Sequence, residues 1–301
     1  MKALLACTPL LLCLSVGQAL ADTPINLSHA ATPNARISIA NVSGSVRVTA
    51  WDRPLVEVSG ELGRGAKPLA ITGNNASLAI KVEPQAGGGW FNWGSNRNMD
   101  PTTLDLRVPR GASLDVQVVS APLSIDGTDG GTIKVTTVSG RARINARTPQ
   151  LTVDSVSGTI ELAGRATQAG LQSVSGDILA PVIGDRAKLQ TVSGRIQAGG
   201  GPWHKFALST VSGDAQLTGS LAAGGSLTVD SMSGNVQLQL PAATSATLHA
   251  STFSGDLRND FGAAARDGTG SVHTLDTRLG TGNGSIKLET FSGDLHIRKA
   301  D

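Results

Sequence analysis

The stretch LTVDSVSGTIELAGRATQAGLQSVSGDILAPVIGDRAKLQTVSGRIQ, residues 151–197, carries one pattern three times: an apolar residue, a Ser and a Gly, ending at Gly158, Gly176 and Gly194. Outward from it the same step ends at Gly44, Gly140, Gly213, Gly234, Gly255 and Gly293. The intervals from 140 to 194 are 18, 18 and 18 residues, followed by 19, 21 and 21, and the last interval of 38 reads as two periods with a blurred member near Gly284. Self-similarity at a fixed period indicates a repeat architecture, in which each unit buries its apolar face only against its neighbours.

The columns around each Gly define the elements. Seven positions before it stand Ile37, Ile133, Leu151, Ala169, Ala187, Phe206, Leu227, Leu248 and Ile286; five before it stand Ile39, Val135, Val153, Leu171, Leu189, Leu208, Val229, Ala250 and Leu288. Two before it are Val42, Val138, Val156, Val174, Val192, Val211, Met232, Phe253 and Phe291, and two after it Val46, Ala142, Ile160, Ile178, Ile196, Ala215, Val236, Leu257 and Leu295. These positions alternate with Thr, Ser, Gln, Asp and Lys, the period-two signature of strands with one buried face, and all four columns are read as facing the core. No stretch after the N-terminus keeps a helical period.

The fold class is therefore all-β, a single-chain β-solenoid with coils of about 18–21 residues stacked like on like. Ser-Gly is read as a corner: Gly supplies positive φ, and the Ser beside it hydrogen-bonds locally to close the turn. Pro149, Pro181, Pro202 and Pro241 mark a second turn in the coil. Ten coils between residue 111 and the end would make a rod of roughly 50 Å. A meander of antiparallel hairpins turning at each Ser-Gly is the competing architecture.

Three regions follow. Residues 1–21 read as a signal peptide, with Lys2, an apolar run and the Ala19-Leu20-Ala21 cleavage step. Residues 22–110 form irregular N-terminal coils or a cap, interrupted by a Gly- and Trp-rich insertion at 85–101, and residues 111–301 are the regular repeats. The charged end, Arg298 to Asp301, suits a last coil that must not offer its edge to another chain.

Export is the expected localisation, in the periplasm or at the cell surface. The only cysteines, Cys7 and Cys13, lie in the signal, so no disulfide or thiol chemistry is expected of the mature chain. Removing Lys2 from the formal charge of +2 leaves +1, which gives no basic footprint for nucleic acid. After the signal no apolar run is long enough for a membrane span.

Repeated steps such as Val174 to Ile178, Phe253 to Leu257 and Phe291 to Leu295 carry a family resemblance, together with Val48-Thr49-Ala50-Trp51-Asp52 and Leu106-Arg107-Val108-Pro109-Arg110-Gly111 ahead of the repeats. The chain resembles the bacterial putative-adhesin family of unknown function, DUF4097, from about residue 36 to 298. The resemblance implies an exported β-solenoid with adhesin-like binding, and it transfers no catalytic residues.

The residues point to binding or scaffolding rather than catalysis. Asp177, Asp214, Asp256 and Asp294, with Asn235, follow the Gly in five coils, but Arg141 and Arg195 take the same place in others, so the column reads as exposed corners rather than a carboxylate ladder. His29, His204, His249, His273 and His296 show no metal-ligand spacing, and no metal or cofactor is expected. A carbohydrate-active enzyme, a polysaccharide lyase or glycosidase, is the rival reading, with Asp126, Asp129, Asp154, Asp185 and Arg186 as its nearest thing to a cluster. A periplasmic envelope-stress accessory is a third. The candidate binding residues are Trp90, Phe91 and Trp93, rings on a Gly-rich segment suited to stacking on a sugar face or entering a partner pocket. Trp203 and Phe206 read as core. The expected partner is an envelope or surface macromolecule, polysaccharide or protein.

Overall fold

A computed structural model describes residues 23–85, 99–262, 266–267 and 272–300. The signal segment and the rings of Trp90, Phe91 and Trp93 lie outside the described residues. All regular structure among the described residues is β.

Successive repeats pair in parallel and in register, which excludes the hairpin meander. Leu151 lies opposite Ile133 on one side and Ala169 on the other; Ala169 meets Ala187, Ala187 meets Phe206, and Phe206 meets Leu227. The segments after the corner form a second ladder: Ala142 with Ile160, Ile160 with Ile178, Ile178 with Ile196, Ile196 with Ala215, and Ala215 with Val236. Each coil thus contributes one segment to a leading sheet before the Ser-Gly corner and one to a trailing sheet after it. Their inward columns meet in one continuous core, in which Val153, Leu189, Ile160, Ile178 and Ile196 are fully buried. Trp203 is also fully buried, 4.5 Å from Phe206 between ring centroids.

The order of layers in space departs from the order in sequence at both ends. Residues 36–51 sit inside the layer formed by residues 77–81 and 102–109: Ile37 lies between Leu78 and Leu114, and Val46 between Leu104 and Leu123. At the other end residues 284–300 sit inside residues 246–259. Ile286 lies between Leu227 and Leu248, and Leu295 between Val236 and Leu257. The charged C-terminal segment is therefore not the edge, contrary to the expectation from its composition. The outer strand there is Leu257–Asn259, three residues long, which gives an approaching strand little to pair with.

Among the described residues nine parallel layers follow residue 111, not ten. The blurred member before Gly293 is not a coil, because His273–Leu279 runs antiparallel against Ala246–Ser254 and closes the leading sheet at that end. At the opposite end Leu55–Leu62 and Thr23–Ala30 close the trailing sheet, also antiparallel. These caps remove parallel edges that stacked coils would otherwise leave open.

The corners work differently from the sequence expectation. Positive φ occurs at Gly44, Gly140 and Gly255 but not at Gly158, Gly176, Gly194, Gly213, Gly234 or Gly293. At those positions the requirement is space: a Cβ on Gly176 would overlap the carbonyl oxygen of Gly158, one on Gly194 that of Gly176, and one on Gly213 that of Gly194. The corner is closed by the residue three before the Gly, not by the adjacent Ser. Ser155 Oγ accepts from Gly158 N–H at 2.9 Å, Ser173 from Gly176 at 2.8 Å, Thr191 from Gly194 at 3.0 Å and Thr210 from Gly213 at 3.0 Å. These hydroxyls are buried, and the geometry satisfies an N–H that would otherwise be orphaned at a turn. The Ser beside the Gly donates to the neighbouring coil instead, as Ser157 does to the Val138 carbonyl at 3.1 Å.

Candidate functional site

The inward hydroxyl column fixes what its neighbour must do. Along a strand successive side chains alternate, so if the positions seven, five and three before the Gly face the core, the position two before it faces solvent. That is where the structure puts it. Val156, Val174, Val192 and Val211 are 46%, 48%, 45% and 42% exposed, Met232 59%, Phe253 53% and Phe291 59%. The reading of this column as core is overturned. It is an apolar ridge along the corner of the rod.

Val138 and Val119 extend the ridge toward the N-terminal end, in register with each other and half-buried. Val119 escaped the repeat pattern because Ala121 stands where its neighbours have Gly. The ridge residues stand at or just past the ends of adjacent strands, and the backbone fixes their stacking: Val174 N–H donates to the Val156 carbonyl and Val192 N–H to that of Val174, both at 3.2 Å. At the far end the rings of Phe291 and Phe253 stack at 4.9 Å. From Val138 to Phe253 the ridge passes through eight layers, about 34 Å at the spacing of stacked strands.

Beside it runs the polar column that follows the Gly. Asp177 accepts the N–H of Arg195 at 2.8 Å, Asp214 that of Asn235 at 3.0 Å, Asn235 that of Asp294 at 3.0 Å, and Asp294 that of Asp256 at 2.9 Å. These side chains staple coil to coil. The column ties neighbouring coils together and is more selective than the row of arbitrary exposed corner residues expected from the sequence.

The opposite corner holds a groove of about 840 Å³ lined by Arg110, Thr128, Asp129, Asn145, Arg147 and Arg165 among others. Arg110 is already engaged: it donates to both carboxylate oxygens of Asp52, at 2.8 and 3.0 Å, and to the Gly127 carbonyl. The acidic residues proposed for an enzyme are not brought together. Asp126 sits on the trailing sheet between Thr49 and Asn145, and Asp154 on the leading sheet between Thr136 and Gln172. Asp129 lines the groove, while Asp185 pairs with Arg186 and His204. Among the described residues no three His, Cys, Asp or Glu side chains form a group that could hold a metal. His204 and His249 each meet an Asp, Asp185 and Asp276, and neither imidazole is bonded to a hydroxyl there.

The profile of the family described as Toastrack DUF4097 matches residues 34–298, nearly the whole of the solenoid and its caps. The chain belongs to the Toastrack DUF4097 family. No curated protein matches it. Among solved structures, this Toastrack chain is similar to one named a putative adhesin from Bacteroides fragilis NCTC 9343, at 14% identity over 92% of this chain and 97% of that one, TM-score 0.47. It is similar to a putative lipid binding protein from Parabacteroides distasonis ATCC 8503, at 13% identity over 92% and 97%, TM-score 0.47. A putative cell adhesion protein from Clostridium sporogenes ATCC 15579 matches at 9% identity over 92% and 100%, TM-score 0.21.

Proposed function

We propose that this Toastrack chain is an exported, non-catalytic solenoid of the bacterial envelope that acts by protein contact along its corner ridge, as an adhesion or scaffold module. The observation that carries the reading is the continuous line of half-exposed Val, Met and Phe side chains. Scattered apolar residues on a surface need no explanation, but a contiguous line of this length marks a contact site. The side chains on it offer no hydrogen-bonding group to a glycan, so an apolar protein surface is the better match. Export rests on the signal pattern of residues 1–21. The scatter of Asp126, Asp154 and Asp185 over different faces disfavours the glycosidase reading, which needs two carboxylates across one bond.

Cell fractionation and in-cell cross-linking test this together. The protein is expected in the periplasmic or surface fraction, cross-linked into larger species that are lost in Val174→Asp and kept in Arg165→Asp at the opposite corner. Cytoplasmic retention, or cross-links indifferent to Val174→Asp, would refute it.

A further inference from the structure

We infer that the ridge's partner is a second copy of this chain, docked antiparallel across a two-fold axis that passes between the Val192 and Val211 layers. The inference rests on the reading of the ridge as a contact edge and names the occupant. Three observations on the ridge and its flank converge on it.

The first is spacing. A ridge with one side chain per layer meets an identical ridge at the same repeat distance, so the eight layers from Val138 to Phe253 find counterparts, as an isologous interface requires, and Val119's layer lies just beyond the overlap.

Size is the second. In spatial order the ridge reads Val138, Val156, Val174, Val192, Val211, Met232, Phe291, Phe253, small at one end and large at the other. Turned antiparallel about the stated axis, Val138 faces Phe253 of the second copy, Val156 faces Phe291, Val174 faces Met232, and Val192 faces Val211. Large side chains meet small ones along the contact, the arrangement that fills space between facing rows.

Charge is the third. The same operation brings the polar columns of the two copies side by side. In order they read Arg141, Thr159, Asp177, Arg195, Asp214, Asn235, Asp294, Asp256. Arg141 then faces Asp256, Thr159 faces Asp294, Asp177 faces Asn235, and Arg195 faces Asp214, with no like-charge pair. Moving the axis onto the Val211 layer would set Asp214 against itself and Asp177 against Asp294, so the column excludes that register. Two residues further back on the leading sheet, Asp154 comes toward Glu289, whose carboxylate Lys287 already holds at 2.8 Å.

The area is sufficient. With about half of each side chain exposed, one ridge offers on the order of 600 Å², so two would bury about 1,200 Å² before the flanks are counted, at the low end for stable interfaces.

The test uses purified residues 22–301, which carry no cysteine. Sedimentation equilibrium at micromolar concentration should give a dimer. Arg195→Glu, which places a carboxylate against Asp214 twice in the dimer, should weaken association about tenfold. A mixture of Val156→Cys and Phe291→Cys proteins should form an intermolecular disulfide, whereas each alone should not, because like positions lie five layers apart in the antiparallel pair. A monomeric wild type, or self-cross-linking of either single variant as readily as the mixture, overturns the inference. If a monomer's Val174→Asp variant still loses its cross-links in cells, the contact edge survives and only the occupant is wrong. A dimer indifferent to Val174→Asp overturns the ridge as its interface.

Discussion

Phe291 stacks on Phe253 with ring centroids 4.9 Å apart and planes 6° from parallel, although Phe291 belongs to the last coil of the chain and Phe253 to the one before it. They meet because the last coil is tucked inside its predecessor, against Met232's layer on its other side. The N-terminal copy is tucked in the same way, so neither the first nor the last repeat in sequence forms an end of the rod. Each lies between two layers and is hydrogen-bonded on both sides.

Hydrogen exchange should report this directly. Chain termini ordinarily fray, but the amides of Leu295 and Ile297 lie between two parallel neighbours and should exchange only on global opening, as slowly as Leu238. The amides of Leu257–Asn259, on the outer strand, should exchange faster despite lying further from the terminus. Rapid exchange at Leu295 would show that the outer coil does not lock the inner one.

The corner glycines should be sensitive to volume rather than to backbone angle. Gly176→Ala puts a Cβ into the Gly158 carbonyl oxygen of the neighbouring coil and should cost about 1–3 kcal/mol, the usual penalty of overpacking. Gly170, on the same coil, has nothing closer than 4.0 Å to a Cβ and no positive φ, so Gly170→Ala should be stabilising by about 0.5–1 kcal/mol. Urea midpoints of the two variants should move in opposite directions.

Two serines of one corner should behave unequally. Ser173→Ala leaves the buried Gly176 N–H without its acceptor and should cost about 1–3 kcal/mol. Ser175→Ala removes only an exposed bond of 3.5 Å to the Val156 carbonyl and should change stability by less than about 0.5 kcal/mol. Equal losses would mean that the adjacent Ser, not the one two residues earlier, closes the turn.

The inward columns at Ile133, Leu151 and Ile160 were legible in the sequence because one apolar residue per layer repeats at a constant offset from the Gly. The outward position of Val174 was legible too, in parity: it is out of phase with Leu171 and Ala169, and Ser173, in phase with them, is the inward member. What hid it is that an apolar residue on the solvent side and a hydroxyl on the core side both contradict the usual pattern, and a corner satisfies the hydroxyl only in three dimensions. The intercalated ends were not legible at all. Stacked repeats present nearly the same columns, so nothing in Ile286 or Leu248 says which of them meets Leu227. Trp90, Phe91 and Trp93, the candidate binding residues of the sequence, lie outside the described residues, and the ridge is carried by a column that reads as core in the sequence.

Acid should weaken the tie between the Trp51 to Pro54 turn and Arg110. The Arg110 guanidinium, through its hydrogen bonds and then its charge, holds the Asp52 carboxyl below its ordinary range and is itself pushed up. Because the folded-state value is depressed, the contribution of the pair is complete above the unfolded value, about 3.9 for an Asp, and is lost as pH falls through the lower folded value. Wild type should therefore melt above Asp52→Asn at pH 6, and the gap should close as the pH is lowered past 4. Both groups are well exposed, with Asp52's side chain at 77%, so salt should shrink the gap at pH 6 as well. A gap that persists unchanged into acid would mean that Asn at position 52 disturbs the Trp51 to Pro54 turn itself, rather than removing a charge from Arg110.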